Sequence, residues 1–413
     1  MNKAFFFIGG LLGASCVKEL CAQDALRFSQ AGEEAAATRA QAQETPGYYN
    51  FRWGDLQVRA ESNLSVEGDD NVDLVSTNKV ADVIIQPSLS TQLTYPISQK
   101  NSLNLNVAVG YAAHVRQSYL DQFFVTPGTE LAFDVYIKDF VIEIHDWLSL
   151  TDESYDNPAA ASEANYSYIE NTAGLRGLWE LDQLHLAATY DHLILESLNA
   201  ADNQENSSQD LFTLRAGADL NSISELGAEA SAAMVSYDQN VLNGGVQYTA
   251  GLYYHVRFSP NLSLRATAGY LVYNLDNAAG PSTNYQSQVS TFYGSVSLQH
   301  RVNEHLDYNL EIGHGVNAGL FSDTLDMYYA RLTTDLNIVR NWRLKLLFSY
   351  ENGSETGGLG ESFDRYGVGG SISRSLTKKL TASLNYNFWD RFSDLPDRTY
   401  TENQVLLNLT YNF

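Results

Sequence analysis

The sequence predicts an all-β protein, a closed antiparallel transmembrane β-barrel of about 18 strands, with about 16 as the other count the spacing allows. Three observations carry that expectation. From Asp55 onward, stretches of roughly ten residues alternate apolar with polar or small side chains, the period of a half-buried strand and not of a helix. The connections between them are alternately short and long, as turns on one side of a membrane and loops on the other would be. Beyond the first twenty-odd residues no apolar run is long enough to cross a bilayer as a helix.

Composition narrows the classes further. The 413 residues hold 25 Lys and Arg against 49 Asp and Glu, a formal charge of −24, whereas a surface that meets nucleic-acid phosphates needs the opposite balance. No nucleic-acid partner is expected. Gly (29) and Tyr (26) are abundant, a mixture poorly suited to a helical membrane bundle.

Residues 1–22 read as a secretory signal peptide: Lys3 supplies the positive start, residues 4–14 the apolar stretch, and small residues follow up to Ala22. Cleavage is expected after Ala22, although Leu20 is large for the −3 position. Cys16 admits a lipoprotein reading, against which stands Gly13 where that signal carries Leu. Both cysteines, Cys16 and Cys21, lie inside this segment, so the mature chain is expected to hold no thiol, disulfide or thiolate metal site. Residues 23–54 form a periplasmic N-terminal arm rich in Ala, Gln and Glu, interrupted at Pro46-Gly47. The arm is either a linker or a plug folded into the lumen.

Residues 55–413 are the barrel. Strands are expected to begin near Leu56, Val80, Leu103, Thr129, Phe140, Tyr166, Leu184, Leu211, Leu226, Val246, Leu264, Val289, Leu306, Met327, Trp342, Phe363, Leu380 and Tyr400. The second half of one shows the pattern: Tyr248, Ala250, Leu252, Tyr254, Val256 and Phe258 alternate with Thr249, Gly251, His255 and Arg257. Tight separators fall at 98–101, 138–139, 181–183, 221–225, 259–261, 302–305, 339–341 and 375–379. Longer polar ones fall at 67–79, 151–165, 197–209, 276–287, 351–362 and 389–399. The weakest strands are 226–237, rich in Ala and Ser, and 363–372, rich in Gly. The sheet must close, because hydrocarbon offers no water to an open edge. Tyr95, Trp179, Phe258 and Trp342 beside short turns, and Tyr350, Phe388 and Trp389 beside long loops, are then expected to face outward as interfacial girdles.

The last strand is the most specific: Val405, Leu407, Leu409, Tyr411 and Phe413 alternate up to an aromatic carboxyl-terminal residue. This resembles the signature of bacterial outer-membrane β-barrels, in which such a strand is read by the assembly machinery. Taken with the signal peptide, the Cys-free mature chain and the alternating connections, residues 55–413 resemble the outer-membrane β-barrel porin families of Gram-negative-type envelopes. The resemblance implies integral residence in the outer membrane, contact with its lipid, and the barrel-assembly machinery as partner through the C-terminal strand. An even strand count puts both termini in the periplasm.

Barrels of this size leave an aqueous channel, so the expected function is passive diffusion of small hydrophilic solutes. The pore-lining candidates are Glu143, Glu170, Arg176, Asp191, Arg215, Arg257, Arg265, Asp307, Glu311, Arg331 and Asp335, a mixed-sign wall. Two other classes stay open. One is a dedicated oligosaccharide or exopolysaccharide export or uptake pore, for which Trp147, Tyr329 and Tyr386 offer stacking faces. The other is a structural or adhesive barrel. Acid gathers in the long loops (Asp69, Asp70, Asp73; Asp152, Glu153, Asp156, Glu163; Glu351, Glu355, Glu361) and base in the short turns (Lys100, Lys138, Arg301, Arg340, Lys378). This predicts weak cation preference, acting over a Debye length of roughly 8 Å.

No enzyme is expected. None of the eight histidines forms HExxH, and there is no GxSxG, P-loop, Rossmann or zinc pattern, so no catalytic, cofactor or metal residue is assigned. The pair nearest to chemistry is His185 with Asp191 or His192. The oxygen-rich run Glu67-Gly68-Asp69-Asp70-Asn71 lacks Ca²⁺-loop spacing and reads as a solvated acidic loop.

Overall fold

The computed structural model describes residues 48–151, 158–162, 167–200, 202–239, 241–276, 287–317, 319, 322–339, 341–357 and 360–413. The expected signal peptide, residues 23–47 of the arm, and Asp152, Glu153, Asp156, Glu163 and Arg340 lie outside the described residues.

A short strand, β1 (Phe51–Trp53), precedes the wall, which runs in chain order through β2 (Leu56–Asp69), β3 (Asp82–Pro96), β4 (Ser102–His114), β5 (Gln122–Ile137), β6 (Phe140–Thr151), β7 (Tyr168–Leu181), β8 (Leu184–Ser197), β9 (Ser207–Asn221), β10 (Ser224–Tyr237), β11 (Gly245–Ser259), β12 (Leu262–Leu275), β13 (Gln288–Arg301), β14 (Leu306–Asn317), β15 (Thr324–Val339), β16 (Trp342–Thr356), β17 (Ser362–Ser375), β18 (Leu380–Ser393) and β19 (Tyr400–Asn412). Each strand pairs antiparallel with the next, and β19 pairs with β2 from Gln404↔Asp69 to Asn412↔Glu61. The ring of 18 strands is therefore closed, and its ladders meet backbone groups that would each cost several kcal/mol if left unmet in lipid.

Side-chain alternation sorts the two faces. In β6, Ile144 and Leu148 are exposed while Glu143, His145 and Ser149 are buried; in β9, Phe212 and Leu214 are exposed while Gln209, Thr213 and Arg215 are buried. An apolar skin around a polar interior reverses a soluble barrel.

Most strands begin within two or three residues of the expected positions, and the widest exception has a local cause. β5 starts at Gln122, not near Thr129, because Thr126-Pro127-Gly128 is a bulge inside the strand, where the register shifts between Val125 and Thr129 and Gly128 takes φ +93°. A bulge tolerates a proline that cannot donate to the ladder, so Pro127-Gly128 imitates a turn in the sequence. The acidic run 67–71 is also different from the expected loop. Glu67 and Asp69 belong to β2 and are buried on its inner face, whereas Asp70 bonds Asn403 on the outer side at 2.7 Å.

The glycine and aromatic surplus has a packing explanation. Inward glycines leave room for a neighbouring ring to lie flat on the wall. A Cβ at Gly269 would stand 2.5 Å from the Tyr293 ring, and one at Gly367 would stand 2.3 Å from Trp389. Trp389 is thus not the outward girdle residue expected: it is buried inside, with Arg365 3.9 Å above its ring. Tyr95, Trp179, Phe258 and Tyr350 are exposed on the outer face.

Candidate functional site

The described part of the long connection after β6 lies inside the ring. Its residues 158–162, Pro-Ala-Ala-Ala-Ser, reach the far wall, where Ala159, Ala160 and Ala161 are completely or almost completely buried against Leu325, Met327, Tyr329, Phe363, Trp389 and Tyr400, together with Leu74. β6 stands a third of the ring away from β18 in the strand order, so residues 158–162 lie inside the ring against strands distant from the one that precedes them. Alanines suit such a position, because they pack closely and lose almost no rotamer entropy on burial.

Polar pins hold it. Arg391 Nε donates to the Pro158 carbonyl at 3.0 Å, and Arg398 Nη2 and Nη1 donate to the carbonyls of Ala159 and Ala161 at 2.7 and 3.4 Å. Ser162 N donates to Leu74 O at 3.0 Å, and Ser162 Oγ to the Asp397 carbonyl. Both guanidiniums are seated on Glu361: Arg391 Nη1 on Oε1 at 2.6 Å and Arg398 Nε on Oε2 at 2.5 Å, with Ser393 Oγ donating to Oε1 at 2.5 Å. Burial opposes ionisation of Glu361, but the hydrogen bond and charge of Arg391, with Ser393 and Arg398, hold its carboxyl below the ordinary 4.5. A buried ion pair is expensive unless its remaining donors are met. Here Arg391 Nε and both terminal nitrogens of Arg398 are met by carbonyls of the crossing segment, and Arg391 Nη1 also by the Arg398 carbonyl.

The sequence-predicted lining residues all sit at inward positions of their strands and fall into three separate groups. Glu143, Arg176 and Asp191 meet around His145: Arg176 Nη1 to Glu143 Oε1 is 3.1 Å, His145 Nδ1 to Glu143 Oε1 is 3.2 Å, and His145 Nε2 to Asp191 Oδ1 is 2.8 Å. The imidazole stacks on Trp147 at 4.5 Å, and Glu170 is buried on β7. Arg215 and Arg265 flank the Tyr253 ring at 5.2 and 4.9 Å, and Tyr253 Oη donates to Glu225 at 2.6 Å. With Arg257 and His255 they line a recess of about 420 Å³ near the short turn between β9 and β10. On the facing wall Asp307 accepts from Arg301 at 3.1 Å, Glu311 accepts from Tyr329 Oη at 2.9 Å, Arg331 lies 3.7 Å from Glu351, and Asp335 receives Arg343.

His185 is not brought to Asp191 or His192. It meets Glu180 at 2.5 Å and Asp219 at 3.3 Å, and His192 turns outward to Asp210 at 3.0 Å. Of the stacking candidates, Trp147 and Tyr329 face inward, while Tyr386 is exposed outside and donates to Asn403 at 2.8 Å. Sequence reasoning missed Glu361, Arg391, Arg398 and the crossing segment. The available signal was an apolar Pro-Ala-Ala-Ala run inside an otherwise polar loop.

No protein-family model and no curated protein matches the chain. Among solved structures it is similar to Pseudomonas aeruginosa OccK2 (OpdF), at 11% identity and a TM-score of 0.51, covering 86% of this chain and 98% of that one. The same protein in complex with glucuronate gives 12% identity and a TM-score of 0.52, covering 87% and 98%. At such identity the likeness is one of fold, and the fold is that of a porin-like outer-membrane β-barrel.

Proposed function

We propose that this protein is an outer-membrane channel for passive diffusion of small hydrophilic solutes, with its cross-section set by the segment 158–162. The observation that carries the reading is this segment, pinned inside the 18-strand ring by Arg391, Arg398 and Glu361. A structural barrel has no need to hold a short segment inside its bore, whereas a channel that sorts solutes by size does.

Weak cation preference follows from the sign of the wall. Among the described residues, inward carboxylates such as Glu67, Asp69, Glu143, Asp191, Glu229, Glu351 and Glu402 outnumber inward cations, and their field decays over roughly 8 Å in physiological salt. The eleven lining candidates would then act as a mixed-sign screen. Both termini are assigned to the periplasm, the side of the short turns, and Val405, Leu407, Leu409, Tyr411 and Phe413, all exposed on the outer face, are assigned to recognition by the barrel-assembly machinery. For the arm, a lumen contact favours the plug over a free linker: Tyr48 Oη donates to Gln92 at 2.7 Å and Tyr49 Oη to Thr94 at 2.9 Å on the inner face of β3.

A second reading, a dedicated oligosaccharide pore, is favoured by the inward Trp147 ring beside the charged Glu143–Arg176 pair. Planar-bilayer recording of refolded protein tests both. Stepwise conductance with a cation-selective reversal potential supports the diffusion channel, and block of that current by oligosaccharides supports the second reading. An impermeable barrel removes both.

A further inference from the structure

Among the described residues, the β13–β14 ladder stops well short of the strand ends on the long-loop side. β13 and β14 pair from Arg301↔Asp307 to Gly294↔His314, where their register ends. Beyond that rung β13 continues along β12 to Asn274↔Gln288, and β14 continues along β15 to Asn317↔Leu325. The two strands therefore form a fork. His314 sits in its crotch on the outer face: its Nε2 meets Asp326 Oδ1 at 2.8 Å, its ring stacks on Tyr328 at 4.1 Å, and it hydrogen-bonds the Phe292 backbone across the fork. A side chain thus takes the place of the next backbone rung.

What lies on either side of the fork is apolar. Val316, at a position that alternation would turn outward, is wholly buried against Leu271, Tyr273 and Tyr293, and its carbonyl accepts from Gln247 Nε2 at 3.2 Å. In front, Phe292 is 74% exposed and meets Tyr270 edge-on at 5.1 Å. Exposed Tyr248, Tyr270 and Tyr328 on the adjoining strands mark an interfacial level. An unpaired sheet edge is tolerated there and not in hydrocarbon. An apolar patch contributes nothing to an aqueous axial path, but it suits a molecule that leaves that path sideways.

We propose that the β13–β14 fork is a lateral port through which small amphipathic molecules, carrying one apolar ring or short chain and one polar end, pass between the lumen and the outer leaflet. Val316 is its stopper and His314 its staple. This route is additional to axial diffusion of hydrophilic solutes. The test uses the full chain expressed in a Gram-negative host whose intact outer leaflet excludes an N-phenylnaphthylamine dye, and compares dye entry with swelling of liposomes containing the purified protein in a small sugar. Val316→Gly should accelerate dye entry several-fold and Val316→Trp should bring it to the level of cells lacking the protein, with sugar-driven swelling unchanged in both. His314→Ala, which leaves the apolar patch intact, should accelerate dye entry in the same direction. Equal dye entry in all surface-assembled variants overturns the port, as does dye and sugar permeation rising and falling together, which means a single axial path. Absence of swelling in the unmutated protein bears on the axial channel and not on the fork.

Discussion

Replacing Arg398 with alanine removes two hydrogen bonds to the crossing segment, at 2.7 Å to Ala159 and 3.4 Å to Ala161, and one arm of the seat on Glu361. The side chain is 11% exposed, so solvent screening is slight. Hydrogen bonds from charged groups contribute about 1.5–3 kcal/mol each, and with the longer one counted at the low end the loss to the segment is about 3 kcal/mol. At tenfold for each 1.4 kcal/mol, the detached population rises about 100-fold. The wall is untouched, because every strand ladder is backbone-bonded and Arg398 lies in the connection between β18 and β19. Single-channel recordings of Arg398→Ala should therefore show a normally assembled, heat-modifiable barrel with frequent transitions to a larger conductance. Lysine at this position should restore only part of the latch, since an ammonium cannot reproduce the planar fork. A conductance histogram of the alanine variant that superimposes on that of the parent would refute the claim that this segment sets the cross-section.

Other outcomes follow from the same geometry. Because Glu361 titrates below its ordinary 4.5 in the folded protein, its contribution is complete above that value and is lost as pH falls through the folded one. Opening transitions that depend on this seat should accordingly multiply in acid below the usual carboxylate range. Glu361→Gln should give the frequent openings at neutral pH and no acid step, and an acid step surviving in that variant would assign it to another carboxylate. Gly269→Val drives its side chain into both the Tyr293 ring and the Ala250 carbonyl, each 2.5 Å from the new Cβ. Overpacking of this kind costs about 1–3 kcal/mol, so the thermal midpoint should fall without loss of conductance, and an unchanged midpoint would refute the tight packing at this position. Deleting residues 23–50 removes the Tyr48 and Tyr49 contacts to Gln92 and Thr94 and should raise conductance. Equal conductance would leave the arm as a linker.

The strand pattern was legible because it rests on a local rule: side chains alternate across a strand, so one face had to be apolar for lipid and the other polar for the lumen. That rule located the starts of β2, β6, β8, β14, β16, β18 and β19 to the residue. It failed at Pro127-Gly128, where a bulge and a turn use the same residues for the same backbone reasons, and at Trp389, whose ring needed the space above Gly367 on the neighbouring strand. The seat at Glu361 could not be read in advance. Its partners Arg391 and Arg398 hold Pro158 and Ala159 from more than two hundred positions away, and only closure of the ring brings the start of β19 beside the loop that follows β6.

Sequence alone determined the kind of wall, the approximate number of its strands and the face that most of their side chains present, because those properties depend on neighbours one or two residues away and on the solvent each face must meet. The tertiary structure decided what occupies the bore and where the wall parts. Those depend on distances across a closed ring, where chain segments far apart in order meet through side chains that no local period announces.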